Sequence, residues 1–318
     1  MSLFITTFES VAVLLGIGLI GFYIIKKGIL PGDILTILSP LALEIALPSL
    51  IFARILTTFT PEDFPDWWQL PLWWGLFTVI SLSLTSIFMF TSEKTIRREF
   101  AISLFYQNAI FFPLAIFSGM FTGETLDKYL IYLFFFTVCY PPLFFSTYFF
   151  FFKAKEKIKI NFRRIFHPVL IATIVALVIA STSLEISENN FIIRIFSLLG
   201  AMTIPLLFII LGGNVYNDFR EKGKLKIFEV TKFVIIKNFL FPLIFLGILV
   251  YLRDFIPYHI ALILIIQASV PPVTAVPIVT ERAGGNRAVV NQFIVASFVV
   301  SLISIPLVVH IFDLLFKS

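Results

Sequence analysis

Residues 267–286 read QASVPPVTAVPIVTERAGGN, and residues 107–117 read QNAIFFPLAIF. Each run opens on a Gln, lies within an apolar stretch and carries proline in its middle. A proline inside a helix removes an amide donor and clashes with the carbonyl four residues back, so both runs read as helices broken near their centres. Gln107 and Gln267 lie 160 residues apart, while Pro113 lies 158 and 159 residues before Pro271 and Pro272. A third pair, Pro48 in ALPSLIF and Pro205 in TIPLLFI, is 157 apart. Three concordant offsets predict an internal repeat, with the broken helices at matching places in its two halves.

The surrounding composition is that of a membrane protein. Of 318 residues 59% are hydrophobic and 14% charged, and the mean hydropathy is +1.00. Phe alone supplies 40 residues, against 24 Lys and Arg and 19 Asp and Glu. That is too little polar side chain to cover a soluble fold, which excludes soluble enzymes and nucleic-acid binders. Cys139 is the single cysteine, so neither an intrachain disulfide nor a thiol-based metal site can form.

A helix needs about 20 apolar residues to cross the hydrocarbon core. Ten such stretches fall near 4–25, 34–56, 67–90, 100–119, 129–152, 168–183, 191–212, 228–250, 259–279 and 288–312. The first has no basic residue ahead of it, carries Glu9 and meets its first Lys at Lys26, so it is expected as a span and not as a cleaved leader. Alternate loops hold 17 and 3 basic residues, which predicts that the richer side is cytoplasmic and both termini are outside. Trp67, Trp68, Trp73 and Trp74 are expected at the outer interface. The expected fold is an all-α membrane protein of ten transmembrane helices. Residues 1–152 and 153–318 would form two five-helix repeats, inverted because an odd number of spans reverses the second half.

At these residues the chain resembles the auxin efflux carrier family, including bacterial permeases of the malate type. The resemblance is carried by ALPSLIF, QNAIFFPLAIF, IPLLFIILGG and above all the stretch from Gln267 to Asn286. It implies the fold of bile-acid-type sodium symporters. Helices 1, 2, 6 and 7 would form a scaffold, and helices 3–5 and 8–10 a moving transport domain in which broken helices 4 and 9 cross. It further implies elevator-like or rocking alternating access, often in a homodimer packed through the scaffold. Asn108 matches the family position that contacts a substrate carboxylate, and Pro113 with Pro271 or Pro272 matches the crossover prolines.

The residues point to the same chemistry. A helix start offers amide N–H groups to an anion, although the adjoining carbonyl ends suit a cation equally. No Asp or Glu occurs in either break, whereas Asn108, Gln107, Gln267, Ser269 and Thr274 can donate to a carboxylate. A small organic anion is therefore the expected substrate, with no cofactor or metal. Glu44 lies ten residues into the second stretch, roughly 15 Å along a helix and near the midplane. It is either a coupling group or a structural acid paired with a base or protonated. Lys237 in the eighth stretch either attracts the anion or balances charge; the structural alternative is snorkelling or pairing with Glu44. The turns Gly212–Gly213–Asn214 and Gly284–Gly285–Asn286 read as helix stops without a transport role. An intramembrane enzyme would need a cluster of catalytic groups, and His167, His259 and His310 are dispersed. The remaining alternatives are a sodium- or proton-coupled symporter or antiporter of the same fold, and a sensor that does not transport. The composition further suggests a prokaryotic inner membrane.

Overall fold

The computed structural model describes residues 3–152, 167–182, 187, 189–220 and 225–317. The six basic residues between Lys153 and Arg164, with Lys222 and Lys224, lie outside the described residues. Among the described residues the chain is helical without a strand, apart from one isolated bridge between Gln107 and Pro272. Seven helical runs are long and apolar enough to cross a membrane: Leu3–Lys26, Ile34–Thr58, Trp67–Thr91, Gly123–Phe151, Phe191–Asn217, Ile227–Tyr251 and Arg287–Phe316. The fourth, sixth and ninth expected stretches carry the shorter apolar helices Phe111–Met120, Pro168–Ala180 and Tyr258–Ser269.

Prolines explain most of the departures from straight helix. The first stretch is α1 (Leu3–Lys26), uninterrupted. In the second, α2 (Ile34–Pro40) and α3 (Leu47–Thr58) flank a π-helical segment, Leu41–Ala46. Pro48 has no N–H for the carbonyl of Glu44, and the ladder slips so that the Leu47 N–H bonds the carbonyl of Ala42, five residues back. The third stretch centres on α4 (Leu70–Phe88). The fourth is broken into α5 (Arg97–Phe105) and α6 (Phe111–Met120). The fifth, expected to be continuous, changes helix at Val138–Cys139 between α7 (Gly123–Thr137) and α8 (Tyr140–Thr147), ahead of Pro141 and Pro142.

In the second half, α9 (Pro168–Ala180) is followed by α10 (Phe191–Ala201) and α11 (Thr203–Arg220), which part at Met202 just before Pro205. The eighth stretch repeats the π device. A segment at Ile236–Leu240 joins α12 (Ile227–Ile235) to α13 (Phe241–Tyr251), and Phe241 N–H bonds Ile236 O ahead of Pro242. The ninth is broken into α14 (Tyr258–Ser269) and α15 (Val276–Arg282). The long α16 (Arg287–Lys317) tolerates Pro306 in its interior.

Packing changes the reading of the first Gly-Gly turn. Gly212 and Gly213 lie within α11 and do not end it. They let α11 approach its neighbours: a Cβ at Gly212 would overlap the carbonyl oxygen of Gly18 on α1, and one at Gly213 would crowd Leu35. Gly284 behaves as expected, with φ +81° and a Gly285 N–H to Thr280 O bond of 2.8 Å closing α15. Of the four Trp, Trp68 is exposed, but Trp74 is buried in the main apolar core, because it lies on the face of α4 that also buries Phe77 and Ser81.

Two acids at helix ends are also buried, although end positions suggest solvent. Glu99 accepts from the Asn286 N–H at 2.8 Å, and Glu229 accepts from the Ser92 hydroxyl at 2.8 Å and pairs with Lys232. Each thereby ties a first-half helix end to a second-half one. Between these ties Phe100, Phe233 and Phe293 interlock, with ring centroids 4.6–5.6 Å apart.

Candidate functional site

Residues 106–110, between α5 and α6, and residues 270–275, between α14 and α15, pair antiparallel. The Asn108 N–H donates to Pro271 O at 2.8 Å and the Val273 N–H to Tyr106 O at 3.0 Å. Gln107 and Pro272 therefore face each other as the non-hydrogen-bonded pair of a minimal antiparallel ladder. That is the place in such a ladder where a missing N–H costs nothing, which explains how proline sits in the crossover.

The side chains singled out from the sequence divide here into two groups. Gln267 and Gln107 brace the crossover: Gln267 Nε2 donates to Ala109 O at 2.7 Å, and Gln107 Nε2 reaches Gln267 Oε1 at 3.4 Å. The Tyr140 hydroxyl donates to Gln107 O at 2.5 Å. Ser269 returns its hydroxyl to Ile265 O within α14. All are buried, so backbone groups freed by the breaks find protein partners. Pro113 lies in the first turn of α6 and does not start it; the start is Phe111, whose N–H is 3.3 Å from Asn108 Oδ1. Likewise α15 starts at Val276, four residues beyond Pro272.

Asn108 belongs to the second group, the residues that face open space. Together with Ala109–Phe111 and Val273–Ala275 it lines a cavity of about 170 Å³. The opposite walls come from α8 through Tyr140 and Phe144, from Leu43 and Leu47, and from α11 through Leu207, Phe208 and Asn214. Among the described residues no Lys, Arg, Asp or Glu lines this cavity. Its polar groups are Asn108, Thr274, Ser39, Tyr140, His167 and Asn214. Asn214 was expected at a helix stop, and the structure corrects this, because α11 continues past Gly213 and Asn214 lines the cavity. Tyr140, His167 and Ser39 carried no site signal in the sequence beyond a YPP run in an apolar stretch.

Through Ser39, Leu43, Phe145 and His167, which line both, the cavity adjoins a wider vestibule of about 410 Å³ that also holds Glu44, Tyr148 and Arg282. Glu44 is exposed here, because the surrounding helix ends leave an opening beside it. His167 caps α9 by accepting the Val169 N–H on Nδ1 at 3.3 Å, and its ring stacks on Phe145. Burial pushes its imidazole below the ordinary histidine range, opposed by the carboxylate of Glu44.

Lys237 lies elsewhere. It is fully buried in the π segment 236–240, with its ammonium 5.3 Å from the Phe241 ring, and it neither snorkels nor pairs with Glu44. Beside it Asn238 donates to Ser297 O at 3.0 Å and accepts from the Ser297 hydroxyl at 2.8 Å. Among the described residues no group of three or more His, Cys, Asp or Glu is placed to hold a metal ion.

A comparison with curated proteins finds no match. A comparison with protein families matches the family described as membrane transport protein over residues 6–163 and again over residues 157–309. Since these two segments run through nearly all of the chain, the protein belongs to that family of membrane transporters, the one that includes the auxin efflux carriers.

Proposed function

We propose that this protein carries a small organic anion, a carboxylate, across the membrane by elevator-like alternating access, with the anion held at the crossover. The observation that carries this reading is the cavity beside the two interruptions, lined by Asn108 and Thr274 and, among the described residues, by no charged side chain. Carboxamide and hydroxyl donors at a helix start suit a carboxylate, and the absence of acids disfavours a cation. In this reading Gln107, Gln267 and Ser269 keep the crossover in shape around Asn108, with Pro113, Pro271 and Pro272 maintaining the breaks.

The same reading comprises ten spans in two inverted five-helix repeats. Helices 1, 2, 6 and 7 form the scaffold and, in a homodimer, its contact, while helices 3–5 and 8–10 move. With the basic loops cytoplasmic and both termini outside, the vestibule bearing His167 and Arg282 opens to the cytoplasm of a prokaryotic cell. Single cysteines at Lys94 and Arg253 should then react with impermeant reagents from opposite faces, and labelling from one face alone would overturn the orientation. Proton coupling is favoured over sodium by the exposed Glu44 and the perturbed His167 in one vestibule.

The deciding experiment is carboxylate binding to purified protein. A hydrogen bond to a charged group is worth about 1.5–3 kcal/mol, so Asn108→Ala should weaken binding roughly ten-fold to a hundred-fold while the protein stays folded. Equal affinities for the variant and the parent would move the site away from the crossover.

A further inference from the structure

We infer that the ion pair between Arg54 and Asp127 is a latch that holds the molecule closed at the end away from the vestibule, so that these two side chains set the balance between its access states. The inference rests on the alternating access proposed above. The latch itself comes from how the helices pack, which divides them into two sets. In one set α1 packs on α11, the π segment 41–46 packs on α9, α10 and α11, and α3 packs on α9 and α10. In the other α4 packs on α5 and α7, α6 packs on α7, and α16 packs on α5 and on α12 to α15. Helix α3 of the first set meets α7 of the second, and there Arg54 Nη1 lies 2.5 Å from Asp127 Oδ1.

The two ends of the second stretch differ. Glu44 is exposed and lines the vestibule, whereas Arg54, ten residues and about 15 Å further along, is tied to the opposite set. Beyond it the buried Phe59 ring meets the buried Phe135 ring of α7 edge-on, with centroids 5.1 Å apart. The same end carries a second close approach between the sets, from α1 to α6: a Cβ at Gly119 would overlap the Ser10 hydroxyl. Gly119 and Asp127 flank the short connection from α6 to α7, so both contacts close one end of the molecule. A side-chain pair at contact distance cannot follow a displacement of one set past the other. Arg54 and Asp127 must therefore part whenever the second set moves. Both are half-buried, and an ion pair of that kind shifts a two-state balance by about two-fold to five-fold, which biases the equilibrium without locking it.

The test places a single cysteine at Ala275, which lines the cavity, in a Cys139→Ser background, and follows its reaction with an impermeant maleimide applied to each face of oriented vesicles. Arg54→Gln and Asp127→Asn should each raise the rate from the face nearer Arg54, relative to the vestibule face, by about two-fold to five-fold. The charge-reversed pair, Arg54→Asp with Asp127→Arg, should bring that ratio back toward the parent's. A pair that only stabilises the fold would lower the unfolding midpoint and leave the ratio alone. Each single variant decides by itself if the other folds poorly. Reaction from both faces at the parent's ratio in the single variants would overturn the latch and leave alternating access standing. Reaction from the vestibule face alone in every variant would overturn alternating access, and the latch with it.

Discussion

The π segments at residues 41–46 and 236–240 arise from the same local cause and meet opposite fates. Each ends just before a proline, and each contains a single charged side chain, Glu44 in one and Lys237 in the other. In both, the missing proline N–H shifts the ladder to a bond spanning five residues. Yet Glu44 looks into a wide vestibule, while Lys237 is sealed beneath Phe241 and beside the Asn238–Ser297 hydrogen bonds. The proline decides the backbone; the neighbouring helices decide whether the charge has water.

If the two segments differ as described, their variants should differ in the same order. Lys237→Met should have the largest effect. An ammonium buried with no carboxylate partner among the described residues pays a desolvation penalty that a thioether of similar length avoids, so the variant should gain about 1–4 kcal/mol in detergent unfolding. A loss of stability would mean that the ammonium makes a favourable interaction that the comparison lacks. Asn238→Ala should cost about 1–3 kcal/mol, because it removes the acceptor of the buried Ser297 hydroxyl and a second donor to the Ser297 carbonyl. An unchanged unfolding midpoint would show that the buried segment does not depend on this pair.

Glu44→Gln should be the smallest, under about 0.5 kcal/mol, as expected of an exposed side chain. Its effect should appear in titration. The carboxylate of Glu44 raises the His167 proton affinity against the larger effect of burial, so neutralising it should move His167 further down. With a folded value below the unfolded one, stability falls as pH drops through the histidine range, and the variant should lose it more steeply. Histidine NMR that showed His167 moving up, or not at all, would separate Glu44 from the vestibule histidine.

The breaks at 106–110 and 270–275 were legible because their cause is local: proline beside Gln in an apolar run. The burden of each side chain there was not. Gln107, Gln267 and Asn108 read alike as donors, but Gln267 holds the Ala109 carbonyl across 158 residues of chain, Gln107 holds the Gln267 side-chain oxygen, and of the three only Asn108 lines the cavity. Gly212–Gly213 carries the local mark of a helix stop, and only the approach of α1 shows it to be a packing notch. Glu99 and Glu229 lie in the first turns of α5 and α12, yet both are buried. Partners from the other half of the chain, Asn286 for Glu99 and Ser92 for Glu229, bury them.

By itself the sequence determined that the chain is helical and membrane-embedded, where its helices begin to fail, and which residue types line the failures. Those properties follow from apolar length and from the missing N–H of proline, both of which act within a few residues. Only the tertiary structure decided which freed carbonyl meets which amide, that Asn108 and Asn214 line one cavity, and that Glu44 is exposed while Lys237 is buried. Burial and hydrogen-bond partners belong to pairs of segments far apart in the chain, and a charge keeps or loses its water according to what the other helices leave beside it.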